Sequence, residues 1–206
     1  IPVIILDRPN PNLHYLDGPV MEESYTSFLG MHPVPIVYGM TIGEYAQMIN
    51  GESWLKEGLR CRLSIVPVEN YNRKSKYELS VRPSPNLPNP QAISLYPSLC
   101  LLEQTVISVG RGTDFQFQIY SHPKLPKNNF TFTPLPNFGA KNPKLKDHVC
   151  YGKNLTKILR PNQLEIKWLM DAYKNLPKSN TFFLKGFNKI AGNSSLKEQL
   201  ISGVSE

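Results

Sequence analysis

The sequence holds little that would support metal or redox chemistry. Its three cysteines, Cys61, Cys100 and Cys150, lie far apart and none forms a C-x-x-C pair, so a structural zinc site is not expected. Three is an odd number, so at least one thiol is unpaired within the chain. Cys100 stands between Leu99 and Leu101-Leu102, a setting that predicts a buried free thiol. The histidines His14, His32, His122 and His148 are scattered, and two precede proline. They are not read as metal ligands, and no metal and no cofactor is expected. No GxGxxG, P-loop, HExxH or GxSxG motif occurs. No apolar run approaches the roughly 18 residues of a transmembrane helix. The net charge is +7, which suits an anionic partner such as nucleic acid or a cell-wall polymer. No Lys/Arg run alternates with aromatics, so nucleic acid is not the expected partner.

What is present is a globular composition. Of 206 residues, 40% are hydrophobic and 19% charged, too apolar for a disordered chain. The 19 prolines predict many stiff loops. The opening run Ile-Pro-Val-Ile-Ile-Leu-Asp7 reads as a buried strand of a parallel sheet. Such a strand needs neighbours on both sides. The chain is therefore expected to be a fragment whose sheet partners lie upstream of Ile1.

Asp7, Arg8 and Asn10 follow that strand, at the end where open α/β sheets bind ligands. They can equally form an Asx-rich turn that satisfies local backbone groups. Thr41 and Glu44 form a T-x-x-E capping box, which predicts a helix start and assigns Glu44 a structural role. Ile42, Tyr45, Ala46 and Ile49 share one face of that helix, and Asn50-Gly51 ends it. Tyr38 precedes the helix start, where free N–H groups favour an anion; simple packing is the alternative. Residues 59–68 alternate as a second strand of the same sheet. Arg73, in a basic loop, is placed to clamp a carboxylate or to stay solvated.

Val81 to Pro88 carries Ser84 and Asn86 on a proline-stiffened path. Together with Cys100 to Thr113 it is the stretch most suited to present a ligand site; the alternative is a plain surface crossover. Pro90 to Leu102 predicts a helix, interrupted at Pro97, that places Glu103 near its C-terminal end. Glu103 can be a partly desolvated acid or the partner of Arg111. Gly110-Arg111-Gly112-Thr113 bends sharply around an exposed guanidinium. Strands are expected at Phe115–Tyr120, Asn129–Thr133 and Val149–Tyr151. Residues 134–146 read as a loop. A helix is expected over Asn162–Asn175, and two shorter ones at about 182–191 and 194–202. The fold class is α/β: part of a Rossmann-like parallel sheet over residues 1–78, then a smaller α+β domain over residues 79–206.

Six ordered motifs give a family resemblance. They are Ile-Leu-Asp7-Arg-Pro-Asn-Pro, Leu16-Asp-Gly-Pro, Tyr38-Gly-Met-Thr-Ile-Gly-Glu44, Pro83-Ser-Pro-Asn-Leu-Pro88, Tyr96-Pro-Ser-Leu-Cys100 and Gly110-Arg-Gly-Thr113. In this order they resemble the exo-β-N-acetylmuramidase family of the NamZ type, in a Bacteroidetes-like form, and the similarity runs to Phe187-Asn188-Lys-Ile-Ala-Gly192. The resemblance implies a Rossmann-like N-terminal domain, a smaller C-terminal domain and a cleft between them. It implies release of N-acetylmuramic acid from the non-reducing end of peptidoglycan fragments. It also implies a periplasmic or extracellular protein, in some cases lipid-anchored. The family mostly carries His where Tyr38 stands, and Tyr cannot shuttle protons near neutral pH as His does. The family reads Glu-Gly-Thr where this chain has Glu103-Gln104-Thr105. Its first acid, in a Pro-Glu-His-Gly segment, is expected upstream of Ile1, in the missing N-terminal part of the same protein.

The site residues that follow are Glu103 for catalysis, and Asp7, Asn10, Tyr38, Thr41, Arg73, Ser84, Asn86, Arg111 and Thr113 for substrate. Glycoside hydrolysis usually needs two carboxylates, for which Glu103 and Asp7 are this chain's candidates. Arg111, Arg73 and the helix start at Thr41 are expected to hold the lactyl carboxylate of muramic acid. Ser84 and Asn86 suit hydroxyls or the acetamido group. The alternative is a non-catalytic cell-envelope glycan-binding protein, with Tyr38 and Gln104 as marks of lost chemistry. A phosphosugar-binding role is a weaker third.

Overall fold

The structure is a computed structural model that describes residues 1–128, 130–176 and 181–203. It is a mixed α/β architecture with one parallel and two antiparallel sheets. Strand β1 (Pro2–Leu6) pairs in parallel with β4 (Arg62–Val66), in the register Pro2↔Arg62 to Leu6↔Val66. Between them in sequence come the antiparallel pair β2 (Asp17–Val20) and β3 (Pro35–Val37), then helix α1 (Ile42–Gly51). The helix packs on both parallel strands. Gly43 is where it comes closest: a Cβ there would lie 2.9 Å from the Asp7 carboxyl carbon and 2.9 Å from Ile65.

Within the described residues β1 is only partly covered. Ile4 is 69% and Leu6 63% exposed. Among the described residues β4 is its one hydrogen-bonded neighbour, so only part of the strand is covered. The apolar face of α1 is likewise partial, with Gly43 its buried residue and Ile42 exposed.

The core surrounds α2 (Pro90–Glu103). Ala92 to Leu95 and Pro97 to Leu102 are all buried, as befits a helix apolar on every side. Asn89 caps its start by accepting from the Ala92 amide at 2.9 Å, and it donates to the buried Gln118 side chain. The expected break at Pro97 does not occur; the helix is continuous. Proline has no N–H, so the Ile93 carbonyl loses its helical donor. The Asn12 side chain replaces it, donating to that carbonyl at 3.0 Å. Asn12→Ala is therefore expected to cost about 1 kcal/mol of unfolding free energy. In a Pro97→Ala background, where the backbone donor returns, the same change should cost only a few tenths, roughly. Urea unfolding of the four proteins measures this, and equal costs in both backgrounds would refute the pairing.

Around α2 stand β5 (Ile119–His122), β7 (Cys150–Asn154) and β6 (Thr131–Phe132), an antiparallel sheet in the order β5-β7-β6, with α3 (Lys167–Asn175), α4 (Phe187–Ala191) and α5 (Ser195–Ser202). Leu95, Leu99, Leu101, Leu102, Ile107, Phe117, Tyr120, Leu169 and Phe187 fill the centre. Three expected boundaries move. Phe115–Gln118 is a turn, not strand: Phe117 has φ 52° and its amide reaches back to the Val109 carbonyl. Helix α3 starts at Lys167 and not at Asn162, because Asp17 accepts from the Leu164 amide and Ser98 from the Glu165 amide. Residues 182–184 are not helical. They run beside Gln104–Val106, with Val106 N–H donating to Phe182 and Leu184 N–H to Gln104. The expected strand start at Asn129 lies outside the described residues. All three cysteines are free, and Cys100 is buried as expected. Among the described residues no helix is long and apolar enough to cross a membrane.

Candidate functional site

The residues singled out in the sequence gather into two clusters. The first lies at the carboxyl ends of β1 and β4. Asp7 continues the ladder through its amide to Val66, so its side chain is fixed at the strand end. One carboxylate oxygen accepts from the Thr41 hydroxyl at 2.7 Å; the other accepts from the amides of Gly43 at 2.8 Å and Arg8 at 2.9 Å. Burial pushes the Asp7 pKa up, but the bonds from Thr41, Gly43 and Arg8 outweigh it and hold the group below its ordinary value.

The capping box forms as expected: the Glu44 amide donates to Thr41 Oγ1, and the Thr41 amide to Glu44 Oε2 at 2.9 Å. The start of α1 is thus largely taken up by the chain's own side chains: Asp7 accepts from the Gly43 amide, Glu44 from the Thr41 amide and Thr41 from the Glu44 amide. Arg73 donates to Glu44 Oε1 at 3.0 Å and to the Gly39 carbonyl. Asp7, Thr41, Gln47, Tyr71, Asn72 and Arg73 line a cleft of about 370 Å³. Asn10 flanks it as a turn residue: its side chain donates to Met40 and accepts from the Asn12 amide, so the Asx-turn reading holds. Tyr38 stacks on Tyr45 at 5.3 Å, and burial raises its pKa. The packing reading of Tyr38 is the one the geometry supports.

The depressed Asp7 pKa has a pH consequence. Its contribution to stability is present above the ordinary carboxylate range and is lost as pH falls through the lower folded value. Asp7→Asn should leave thermal stability less pH-dependent between about pH 2 and pH 5. An unchanged acid limb in that variant would contradict the assignment.

The second cluster forms at the C-terminal end of α2. Arg111 grips Glu103 with two bonds, Nε to Oε1 at 2.6 Å and a terminal nitrogen to Oε2 at 3.0 Å. Its guanidinium also lies 5.1 Å from the Phe117 ring centre. The pair is partly exposed, at 36% for Arg111 and 23% for Glu103. Of the two readings open in the sequence, the structure shows Glu103 as the partner of Arg111. The Thr113 hydroxyl donates to the Gly110 carbonyl at 2.7 Å and closes the Gly-Arg-Gly-Thr bend. Gly112, at φ 81°, has the Leu135 carbonyl and the Pro143 ring within 2.6 Å of where a Cβ would stand. Ser84 accepts from the Asn86 amide, and the buried Asn86 donates to the Gly139 carbonyl at 2.8 Å.

One loop, residues 134–146, ties these pieces together. Leu135 donates to Gly112, Asn137 to Thr113, and Asn86 reaches Gly139. Lys144, which lies in a stretch that reads as a plain loop, inserts its ammonium beneath the end of α2. It donates to the carbonyls of Glu103 at 3.0 Å, Thr105, and Ile107 at 2.9 Å. Burial pushes its pKa down to about 8, Glu103 opposing and Arg111 adding. The one sequence signal was a lysine following Asn142-Pro143 in a stiff loop, which does not by itself mark a buried ammonium.

The two clusters stay apart. Asn12 meets Ile93 near the start of α2, and Glu103 lies ten residues further, roughly 15 Å along the helix. Among the described residues no hydrogen bond joins Asp7 to Glu103. Nor is there a group of acidic, His and Cys side chains that could hold a metal among them.

Family models place the chain. The model described as exo-beta-N-acetylmuramidase NamZ, N-terminal, matches residues 1–91, and its C-terminal counterpart matches residues 94–206. The chain belongs to the NamZ family. It is 31% identical to the peptidoglycan beta-N-acetylmuramidase NamZ of Bacillus subtilis, over 100% of the chain and 54% of that protein. The chain thus spans about half the length of the curated relative that it matches. A crystal structure of a DUF1343 family protein from Bacteroides fragilis superposes with a TM-score of 0.95 at 44% identity, over 98% of this chain and 58% of that one. A second DUF1343 structure from the same organism, at 22% identity and TM-score 0.75, covers 96% and 58% and shares the fold. Within the NamZ family this chain's Gln104 has a visible structural setting. Its side-chain oxygen would lie 2.5 Å from a Cβ on Gly186, so glycine there makes the room for Gln104.

Proposed function

We propose that the complete protein to which this chain belongs is an exo-β-N-acetylmuramidase, a glycoside hydrolase that releases N-acetylmuramic acid from the non-reducing end of peptidoglycan fragments in cell-wall turnover. The observation that carries this reading is the match of both halves of the chain to the two NamZ models. Residues 1–78 then form the C-terminal part of a Rossmann-like domain, with β1, α1 and β4 as one crossover unit, and residues 79–206 the smaller domain. The missing N-terminal part of the same protein covers the exposed side of β1. The protein works in the periplasm or outside the cell, in a lipid-anchored form where the N-terminus supplies the anchor.

The geometry limits what Glu103 can do. Both of its oxygens accept from Arg111. A general acid needs an oxygen free to face the leaving group. Glu103 therefore serves in a supporting, orienting role, and the principal acid comes from the upstream part. Strands ending in muramic acid should yield free N-acetylmuramic acid with the product of the complete reading frame. Strands ending in N-acetylglucosamine should be left untouched. Internal cleavage products, or none from either substrate, would overturn the reading. A non-catalytic glycan-binding role has one observation in its favour: Asp7 and Glu103 are both engaged inside the chain.

A further inference from the structure

Both arginines expected to hold the lactyl carboxylate are paired within the chain, and a carboxylate of the chain already sits at the start of α1. Arg111 grips Glu103, Arg73 grips Glu44, and Asp7 accepts from the Gly43 amide. One cation beside the second cluster is not occupied. Among the described residues no carboxylate or hydrogen-bond partner meets the ammonium of Lys141, which instead lies 5.9 Å from the centre of the Phe138 ring.

Phe138 is 78% exposed, although the turn that carries it is tightly tied. Asn137 and Ala140 exchange backbone bonds of 3.0 and 3.3 Å, and the Ala140 amide also donates to the Asn137 side chain at 2.9 Å. Asn86 anchors the turn through Gly139, and Asn137 through Thr113, two residues from Arg111. These ties fix the backbone of the turn, and from it the Phe138 ring projects into water. Presentation from a fixed turn is how a docking surface differs from a stray apolar side chain. The flat C–H face of a pyranose ring complements such a surface, and a neighbouring ammonium complements a carboxylate on that sugar.

We propose that Phe138 and Lys141 form a subsite for the muramic-acid residue, Phe138 stacking under its ring and Lys141 taking its lactyl carboxylate. This rests on the glycan reading above and names what distinguishes muramic acid from N-acetylglucosamine at that site. Phe28 offers a contrast. It is 98% exposed on a Ser27–Gly30 turn, but its turn bonds only to itself and no cation lies over its ring among the described residues.

The test is titration of N-acetylmuramic acid and N-acetylglucosamine into the product of the complete reading frame, followed by calorimetry, with hydrolysis of the disaccharide measured separately. Wild type should prefer N-acetylmuramic acid by about tenfold or more. Lys141→Met should bring the two sugars to within about threefold of each other, and Lys141→Arg should restore the preference. Phe138→Ala should weaken both sugars by about tenfold, Phe138→Tyr should retain binding, and Phe28→Ala should change nothing. Unchanged binding in Lys141→Met and Phe138→Ala, or equal losses in Phe28→Ala, would overturn the subsite. If the disaccharide is cleaved while those variants bind normally, the subsite falls and the enzymatic reading stands. If binding follows the predicted pattern but no disaccharide is cleaved, the subsite stands and the enzymatic reading falls.

Discussion

Lys144→Met is expected to lower the unfolding free energy by about 3 kcal/mol. The ammonium satisfies three carbonyls, those of Glu103, Thr105 and Ile107, at the point where α2 ends and the chain turns toward Gly110. A helix end leaves its last carbonyls without partners, and here one side chain from a distant loop supplies the donors. Methionine matches the length but donates nothing, so these carbonyls lose their donor in a largely buried place. The deficit should also change with pH. The folded state releases the Lys144 proton near pH 8, against an ordinary value of 10.5. Between those values the unfolded chain holds more protons, so wild-type stability gains relative to the variant as pH rises. The gap between wild type and Lys144→Met should therefore be wider at about pH 10 than at about pH 7. Denaturant unfolding at the two pH values measures both effects. A variant as stable as wild type would remove Lys144 from the account.

The second large effect is expected at Arg111. Its two bonds fix both oxygens of Glu103, and the Phe117 face steadies the guanidinium. Arg111→Ala frees the carboxylate to rotate. In the complete protein this should slow release of N-acetylmuramic acid on the order of 100-fold, the scale of a small misplacement near the reacting bond. Arg111→Lys should recover little, because a single ammonium cannot reproduce the paired geometry. Loss of kcat with KM retained would match an orienting role. A rise in KM alone would mean that Arg111 binds substrate directly.

Local signals in the sequence were enough to find β1, β4 and α1. Alternation, a Pro-Asn loop and a T-x-x-E box act over a few residues, and the structure keeps all three. The features that escaped are settled by partners far away in the chain. Pro97 reads as a helix break until Asn12 supplies the missing donor from 81 residues away. Phe115–Gln118 alternates like a strand, but the backbone pairing of Phe117 with Val109 turns it. The start of α3 is delayed by Asp17 and Ser98, neither of them near it in sequence. Lys144 follows the same rule: only the fold shows that it lies beneath α2. The Glu103–Arg111 pair was visible as one of two options because both residues sit in a short stretch. Its two-bond geometry was not visible, and that geometry is what engages both oxygens of Glu103.

The most direct test of the central claim is a time course with a disaccharide of N-acetylmuramic acid linked to N-acetylglucosamine. The product of the complete reading frame, wild type and Glu103→Gln, would be incubated with it and free N-acetylmuramic acid followed by mass spectrometry. The account predicts steady release by wild type and slowed but measurable release by Glu103→Gln, since Glu103 supports the reaction and does not donate the proton. No release by wild type, with the disaccharide still bound, would contradict the account and leave a glycan-binding protein of the cell envelope.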